Sequence, residues 1–465
     1  MTLQNTPQET IIQIVQQQKE FFHSGKTLDL NFRRQQLKAL LSAIEKFEKP
    51  LADALWTDLH KSYQEAYMTE IGLVKGEIRE MLHKVGRWSK RRWKLSPLAL
   101  FPSQTYLVQE PLGNSLIVAP WNYPVQLLLN PLVGAIGAGC TAMLKPSPYV
   151  PHVSAVIEEM ISSAFPKEYI AVAQGNRVVN QQLLEQRWDI IFFTGSPALG
   201  RQVMQAASKN LTPVVLELGG KSPCIIDSSA DIKVVAKRLA WAKTLNAGQT
   251  CIAPDYILIH KDVQDEFVKQ FAKAVTELHG QDIRQSQHYV RMVTDKAFER
   301  VSSYLKQGTI LYGGRTDASE RFIEPTLMTD VPLDSALMTE EIFGPIFPMI
   351  TIDPASGEFL DQVREFVTVR EKPLAFYYFG KGSDGWKLIR NTTSGGGCVN
   401  DAIMHIANGK VPFGGVGNSG MGHYHGQESF RAFSHQRTIV KTTTLVDLPF
   451  RYMPYGLFKL VKKLL

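Results

Sequence analysis

From residue 115 onward, short apolar runs recur at intervals that leave room for one helix between each pair. Residues 115–119, 141–144, 169–173, 190–193 and 214–216 are almost free of charge. Strands that read as continuous apolar runs are covered on both faces, as in a parallel sheet whose crossovers are helices. The intervening segments 124–138 and 150–163 carry helical patterns. A second alternating α/β stretch follows Lys221 and runs to about residue 415. Before the first sheet, Leu37, Leu40, Leu41, Ile44 and Phe47 fall at three- and four-residue spacings, so residues 7–92 read as helical. Residues 104–109 read as an extended hairpin arm closed by Pro111 and Gly113. With 465 residues, one core does not suffice, and two or three domains are expected.

Charge and cysteine content narrow the function classes. A net charge of +7 over this length is mild and calls for no nucleic-acid partner. The cluster Arg87-Trp88-Ser89-Lys90-Arg91-Arg92-Trp93-Lys94 reads as a solvated helix end whose tryptophans pack inward. Four cysteines, Cys140, Cys224, Cys251 and Cys398, lie far apart, which suggests neither a disulfide framework nor a zinc site. His405, His423, His425 and His435 lack a convincing set of co-ligands, so no metal site is expected. The start lacks the basic-then-apolar order of a signal peptide, and no run reaches the roughly 18 apolar residues of a membrane span. A cytoplasmic protein is the expectation, peripheral to a membrane if something tethers it.

Five stretches hold residues suited to chemistry. Gly248-Gln249-Thr250-Cys251-Ile252-Ala253-Pro254 sets a lone cysteine between a helical run, 231–245, and a strand-like run, 256–260. A cysteine reacts as thiolate where substrate reaches it, although most free cysteines are simply buried. Ala119-Pro120-Trp121-Asn122-Tyr123-Pro124 leaves a strand for a helix. The Asn122 amide can donate to a developing oxyanion there, or merely cap that helix. In Thr194-Gly195-Ser196-Pro197-Ala198-Leu199-Gly200, glycines at a strand–turn–helix junction let a backbone approach a pyrophosphate, or only pack. Glu217, at a strand end before Gly219-Gly220, suits a general base with a raised pKa, though such residues are usually solvated. Glu341-Ile342-Phe343-Gly344-Pro345 and the glycine-rich 412–422 complete the set, and spacing alone assigns them nothing.

Together, in identity, order and spacing, these stretches resemble the NAD(P)-dependent aldehyde dehydrogenase superfamily over nearly the whole chain. His23-Ser24-Gly25-Lys26-Thr27, Asp255-Tyr256, Val399-Asn400-Asp401 and Phe433-Ser434-His435-Gln436-Arg437 point to its class-three branch of fatty and aromatic aldehyde dehydrogenases. The resemblance implies an α/β fold with a Rossmann-type cofactor domain (1–95 and 112–216), a catalytic domain (217–415), and an oligomerisation arm with C-terminal segment (96–111 and 416–465). It implies Cys251 as nucleophile, Glu217 as general base and Asn122 as oxyanion donor. Lys145, Gly195, Ser196, Gly200, Glu341, Phe343 and Trp121 would contact the dinucleotide.

The implied reaction oxidises medium- or long-chain, aromatic or polyene aldehydes to acids through a thiohemiacetal and a thioester. Rival readings are thioester transfer to coenzyme A and a silent structural or ligand-binding protein on the same fold. Pro148 departs from the pattern, because the family often has a glutamate three residues after the lysine, here Lys145. Loss of that carboxylate removes a repulsion against a 2′-phosphate, so both NAD and NADP are expected to serve. A homodimer through the arm is implied. Leu457, Leu460, Val461 and Leu464 share a helical face with Lys459, Lys462 and Lys463 around it. Such a face fits a sister subunit or its own domain, and less readily an anionic membrane.

Overall fold

A computed structural model describes residues 3–449, 452–456 and 458–464. The apolar face expected of Leu457, Leu460, Val461 and Leu464 lies outside the described side chains. Two parallel sheets dominate the chain. The first aligns Val214–Glu217, Ile190–Thr194, Asn114–Val118, Thr141–Lys145 and Ile170–Val172, in that spatial order. Each expected strand lies within two residues of its place. All five are parallel, and Gly420–Met421 joins antiparallel beside Val214–Glu217. The winding reverses between Asn114–Val118 and Ile190–Thr194. Crevices outside the carboxyl ends of strands at such a reversal are where open α/β sheets bind ligands.

The helix Gln126–Ala138 is buried along its whole length, which its nearly unbroken apolar sequence allows. It starts two residues later than the 124 expected. Asn122 does not cap it. The Glu70 carboxylate does so, accepting from the backbone N–H of Val125 at 2.8 Å and of Gln126 at 3.4 Å. A carboxylate there satisfies otherwise orphaned donors and faces the positive end of the helix dipole.

The second sheet runs Thr309–Tyr312, Thr326–Thr329, Ile346–Ile352, Tyr256–His260, Pro223–Ile226, Ala375–Phe379 and Gly396–Val399, parallel except for the first. Cys251 lies just before the amino end of Tyr256–His260, and Glu341 just before that of Ile346–Ile352. The site therefore forms where carboxyl ends of one sheet meet amino ends of the other. A small antiparallel sheet of Arg92–Lys94, Gln104–Pro111 and Ser434–Lys441 stands apart. Of the tryptophans expected to pack inward, Trp88 meets Phe430 in the core, but Trp93 is 57% exposed. The reason is that the helix ends at Trp88 and Trp93 belongs to a strand of this arm.

Candidate active site

Cys251 follows a backbone that turns left-handed three times in succession, at Asn246 (φ 50°), Ala247 (φ 50°) and Gly248 (φ 71°). Glycine bears this readily, but Asn and Ala in that region are strained. Surrounding bonds hold the strain in place. The Asn246 backbone N–H donates to Glu65 (2.9 Å), and its side-chain amide donates to the carbonyls of Asn122 and Gln249, each at 3.0 Å. A Cβ on Gly248 would lie 2.4 Å from the Gly344 carbonyl oxygen, so this turn packs directly on the Glu341–Gly344 segment.

Cys251 and Glu217 line one cavity of about 310 Å³. Its other walls are largely apolar, with Leu73, Leu127, Trp241, Ile403, Met404 and Phe413 among them. Glu217 is 3% exposed, and neither carboxylate oxygen has a hydrogen-bond partner. Burial alone raises its pKa well above the ordinary carboxylate range. Burial likewise raises the Cys251 thiol, with the nearby charges of Glu341 and then Glu217 adding to it. The backbone N–H groups of Cys251 and Ile252 act in the opposite direction, towards thiolate. Burial thus favours the neutral thiol, and attack as thiolate requires its proton to leave.

Asn122 is buried, and its amide donates to the Gln249 carbonyl at 3.0 Å. It braces the loop that carries Cys251 and is not among the residues lining the cavity. An amide nitrogen carries two protons, so one donor remains.

The residues expected at a dinucleotide sit on the carboxyl ends of neighbouring strands. Lys145 ends its strand 1% exposed, bonded only to the Pro146 carbonyl at 2.7 Å, with its pKa lowered by burial to about 8. Ser196 caps the helix Pro197–Ser208 after the Gly195 turn, leaving that helix's amino end outward. Gly200 packs on Leu218, where a Cβ would lie 2.8 Å from a methyl carbon. Trp121 and Phe343 meet edge to face at 5.3 Å. Glu341 takes a hydrogen bond from the Gly220 backbone, has Oε1 unpartnered, and is raised to about 8, chiefly by burial. Its carboxylate fills the place of a Cβ at Gly219, which explains that glycine. Pro148 occupies a half-exposed turn after Lys145. A buried ammonium with donors to spare, an orphaned carboxylate oxygen and a free helix amino end fit a polyhydroxylated, anionic dinucleotide.

Sequence reasoning missed what holds these parts. Lys61, wholly buried, donates to Glu70 (2.6 Å) and to the Asn122 carbonyl (3.1 Å), and lies 4.3 Å from the Tyr123 ring. Lys221 pairs with Asp255 and donates to the carbonyls of Leu337 (2.9 Å) and Glu340 (2.8 Å), while Asp255 takes the Ile342 N–H at 2.9 Å. Lys61 and Glu70 gave no signal because charged residues on a helical run read as solvated. Tyr424, buried on the cavity wall, lies just beyond the glycine-rich 412–422 and carried no signal of its own. No cluster of three or more metal-ligating side chains occurs among the described residues. Nor does any helix among them have the length and apolar character to cross a membrane.

Known proteins agree with this geometry. The model of the aldehyde dehydrogenase family matches residues 1–439. The chain is 45% identical over 448 residues to a 4,4′-diaponeurosporen-aldehyde dehydrogenase of Staphylococcus aureus, covering 96% of each. It is 40% identical to a dimeric NADP-preferring aldehyde dehydrogenase of Canis lupus familiaris, over 96% of this chain and 98% of that one. A solved substrate-bound state of Staphylococcus aureus AldH superposes with a TM-score of 0.95 at 44% identity, covering 97% of this chain and 99% of that one. The chain therefore belongs to the aldehyde dehydrogenase family, in its class-three branch, and is an NAD(P)-dependent enzyme that oxidises aldehydes to carboxylic acids.

Proposed function

We propose that Cys251 is the nucleophile, Glu217 the general base and Asn122 an oxyanion donor, acting on long or aromatic apolar aldehydes. The supporting observation is one cavity, mostly apolar, that presents a reachable sulfur and an unpartnered buried carboxylate together. Apolar walls favour an alkyl or aromatic chain through desolvation. The Cys251 sulfur adds to the carbonyl carbon as thiolate, once its proton has passed to solvent. The oxyanion accepts hydrogen bonds from the Cys251 backbone N–H and from the second N–H of the Asn122 amide. A dinucleotide held by Lys145, Gly195, Ser196, Glu341, Phe343 and Trp121 supplies the hydride acceptor when bound. Glu217 then takes a proton from the water that cleaves the Cys251 thioester.

An aldehyde panel graded by chain length and ring content, run with each cofactor, tests this reading. Reduced cofactor should form with both NAD and NADP, best with apolar aldehydes, and acid should appear whether or not coenzyme A is present. A hundredfold preference for NAD, about 2.7 kcal/mol, would remove the argument from Pro148. Failure with every aldehyde would leave the silent reading standing.

A cofactor domain (1–95 and 112–216), a catalytic domain (217–415) and an arm (96–111 with 416–465) draw support from the separate sheets, although Arg92–Lys94 pairs with the arm and Gly420–Met421 with the first sheet, and a cytoplasmic setting suits the free cysteines. Trp93, Leu95, Leu98 and Phe101 are each more than half exposed along the arm. Apolar side chains gathered on so short a stretch favour cover by a second copy. Sedimentation should give a dimer, and truncating the arm's exposed side chains together should yield monomer.

A further inference from the structure

A second cavity, of about 440 Å³, adjoins the one that holds Cys251. Leu73, Gln126, Ile406 and Ala407 line both. Gly76 and Lys410 on its lining are exposed, so it opens to solvent directly beside the cavity of the sulfur. Both chambers have more apolar than polar lining, but the outer one carries the larger share of polar groups. His425 lines it, 4% exposed, with neither ring nitrogen hydrogen-bonded. Asn130 lines it as well, 3% exposed, with its side-chain oxygen unpartnered. Buried polar atoms in native proteins are nearly always paired, and each orphan carries a cost. Here two residues from distant parts of the chain, both lining one chamber, hold unpartnered polar atoms.

The His425 ring is fixed in place. It stacks on Phe413 at 5.5 Å and meets Tyr424 at 4.4 Å. Its backbone is left-handed, at φ 81°, and Glu77 locks the turn by accepting from the Gly426 N–H (2.7 Å) and the Ser429 hydroxyl (3.0 Å). Such strain persists only where surroundings over-determine it. Tyr424, against the His425 ring, lies on the wall of the inner chamber. Burial lowers His425 to about 4, so its ring is neutral and offers one donor and one acceptor.

We propose that the outer chamber binds a neutral hydrogen-bonding group, a hydroxyl above all, at the end of the substrate remote from its aldehyde, with His425 and Asn130 as the residues that read it. A hydroxyl donates one hydrogen bond and accepts others, matching a ring nitrogen pair and an amide oxygen. An anionic end would pair instead with Arg79 or Lys410, which are exposed on the chamber's lining, and not with the neutral His425 and Asn130. The inference rests on Cys251 as the reacting sulfur, since that sets which end of the substrate lies outward.

The test compares kcat/KM for straight-chain aldehydes from hexanal to hexadecanal with their ω-hydroxy and ω-carboxy counterparts. In the wild type the hydroxy-to-plain ratio should rise roughly tenfold at one chain length. His425→Phe keeps the stacked ring and should return that ratio towards unity. Asn130→Leu should lower it too, which covers the case in which the histidine variant fails to fold. A ratio near unity at every length, its survival in both variants, or preference for the ω-carboxylate would each overturn the proposal. Should no aldehyde be oxidised, the catalytic reading fails separately. Calorimetry with α,ω-diols against 1-alkanols then decides the chamber alone: tighter diols sustain it, and equal affinities end it.

Discussion

Cys251→Ala will reduce aldehyde oxidation to background, whereas Glu217→Gln will yield one equivalent of reduced cofactor per site and then stall. The two variants should differ because they remove different halves of one reaction. Without the sulfur no covalent adduct forms, and the remaining donors have nothing to stabilise. With glutamine at 217 the adduct forms and gives up its hydride, but no base remains to activate the hydrolytic water. Loss of a positioned general base is worth about 10²–10⁴ in rate, so steady turnover should fall by that factor while the burst survives. Rapid-mixing absorbance separates the phases, and an unaltered steady rate in Glu217→Gln would sink the assignment. Because burial and the neighbouring acids raise the Cys251 pKa, the thiolate fraction is small at neutral pH and grows about tenfold per pH unit below that pKa. Alkylation of Cys251 by iodoacetamide should therefore keep climbing through the alkaline range. A plateau near neutrality would show that the thiolate already forms at rest.

Lys61→Met should cost about 3–5 kcal/mol in chemical unfolding, the range for stripping one partner from a buried ion pair. Lys61 and Glu70 are both wholly buried and 2.6 Å apart. Removing the ammonium leaves Glu70 charged in the core with only the Val125 and Gln126 backbone donors. It also leaves Glu65, already raised to about 7 by burial, without its favourable neighbour. Activity should fall as well, since the Asn122 carbonyl loses one of its two donors and the oxyanion amide loses its anchor. The double variant Lys61→Met with Glu70→Gln removes the orphaned charge and should regain much of the stability. Were the single and double variants equally unstable, lost packing rather than lost pairing would be the cause.

The legible part of this protein was whatever rests on periodicity and local chemistry. Five parallel strands showed as apolar runs because they are covered on both faces, and polar alternation is absent where no face is wet. The loops bearing Cys251, Glu217 and Asn122 stood out because small, turn-forming residues break those runs. The terminal aromatic–basic cluster misled because Trp88 and Trp93 look alike in sequence, yet one ends a helix in the core and the other sits on an exposed arm.

By itself, then, the order of residues determined the two α/β halves, the turns between them and which side chains stood out as candidates, since each depends on near neighbours along the chain. Only the tertiary structure decided that Glu70 caps the helix after Asn122, that Lys61 and Glu65 brace a strained nucleophile loop, and that His425 and Asn130 face one chamber. Those partners lie from 55 to 181 residues apart where they bond. Burial turns their charges and lone pairs into directed, obligatory contacts, and burial is a property of the packed chain rather than of any stretch within it.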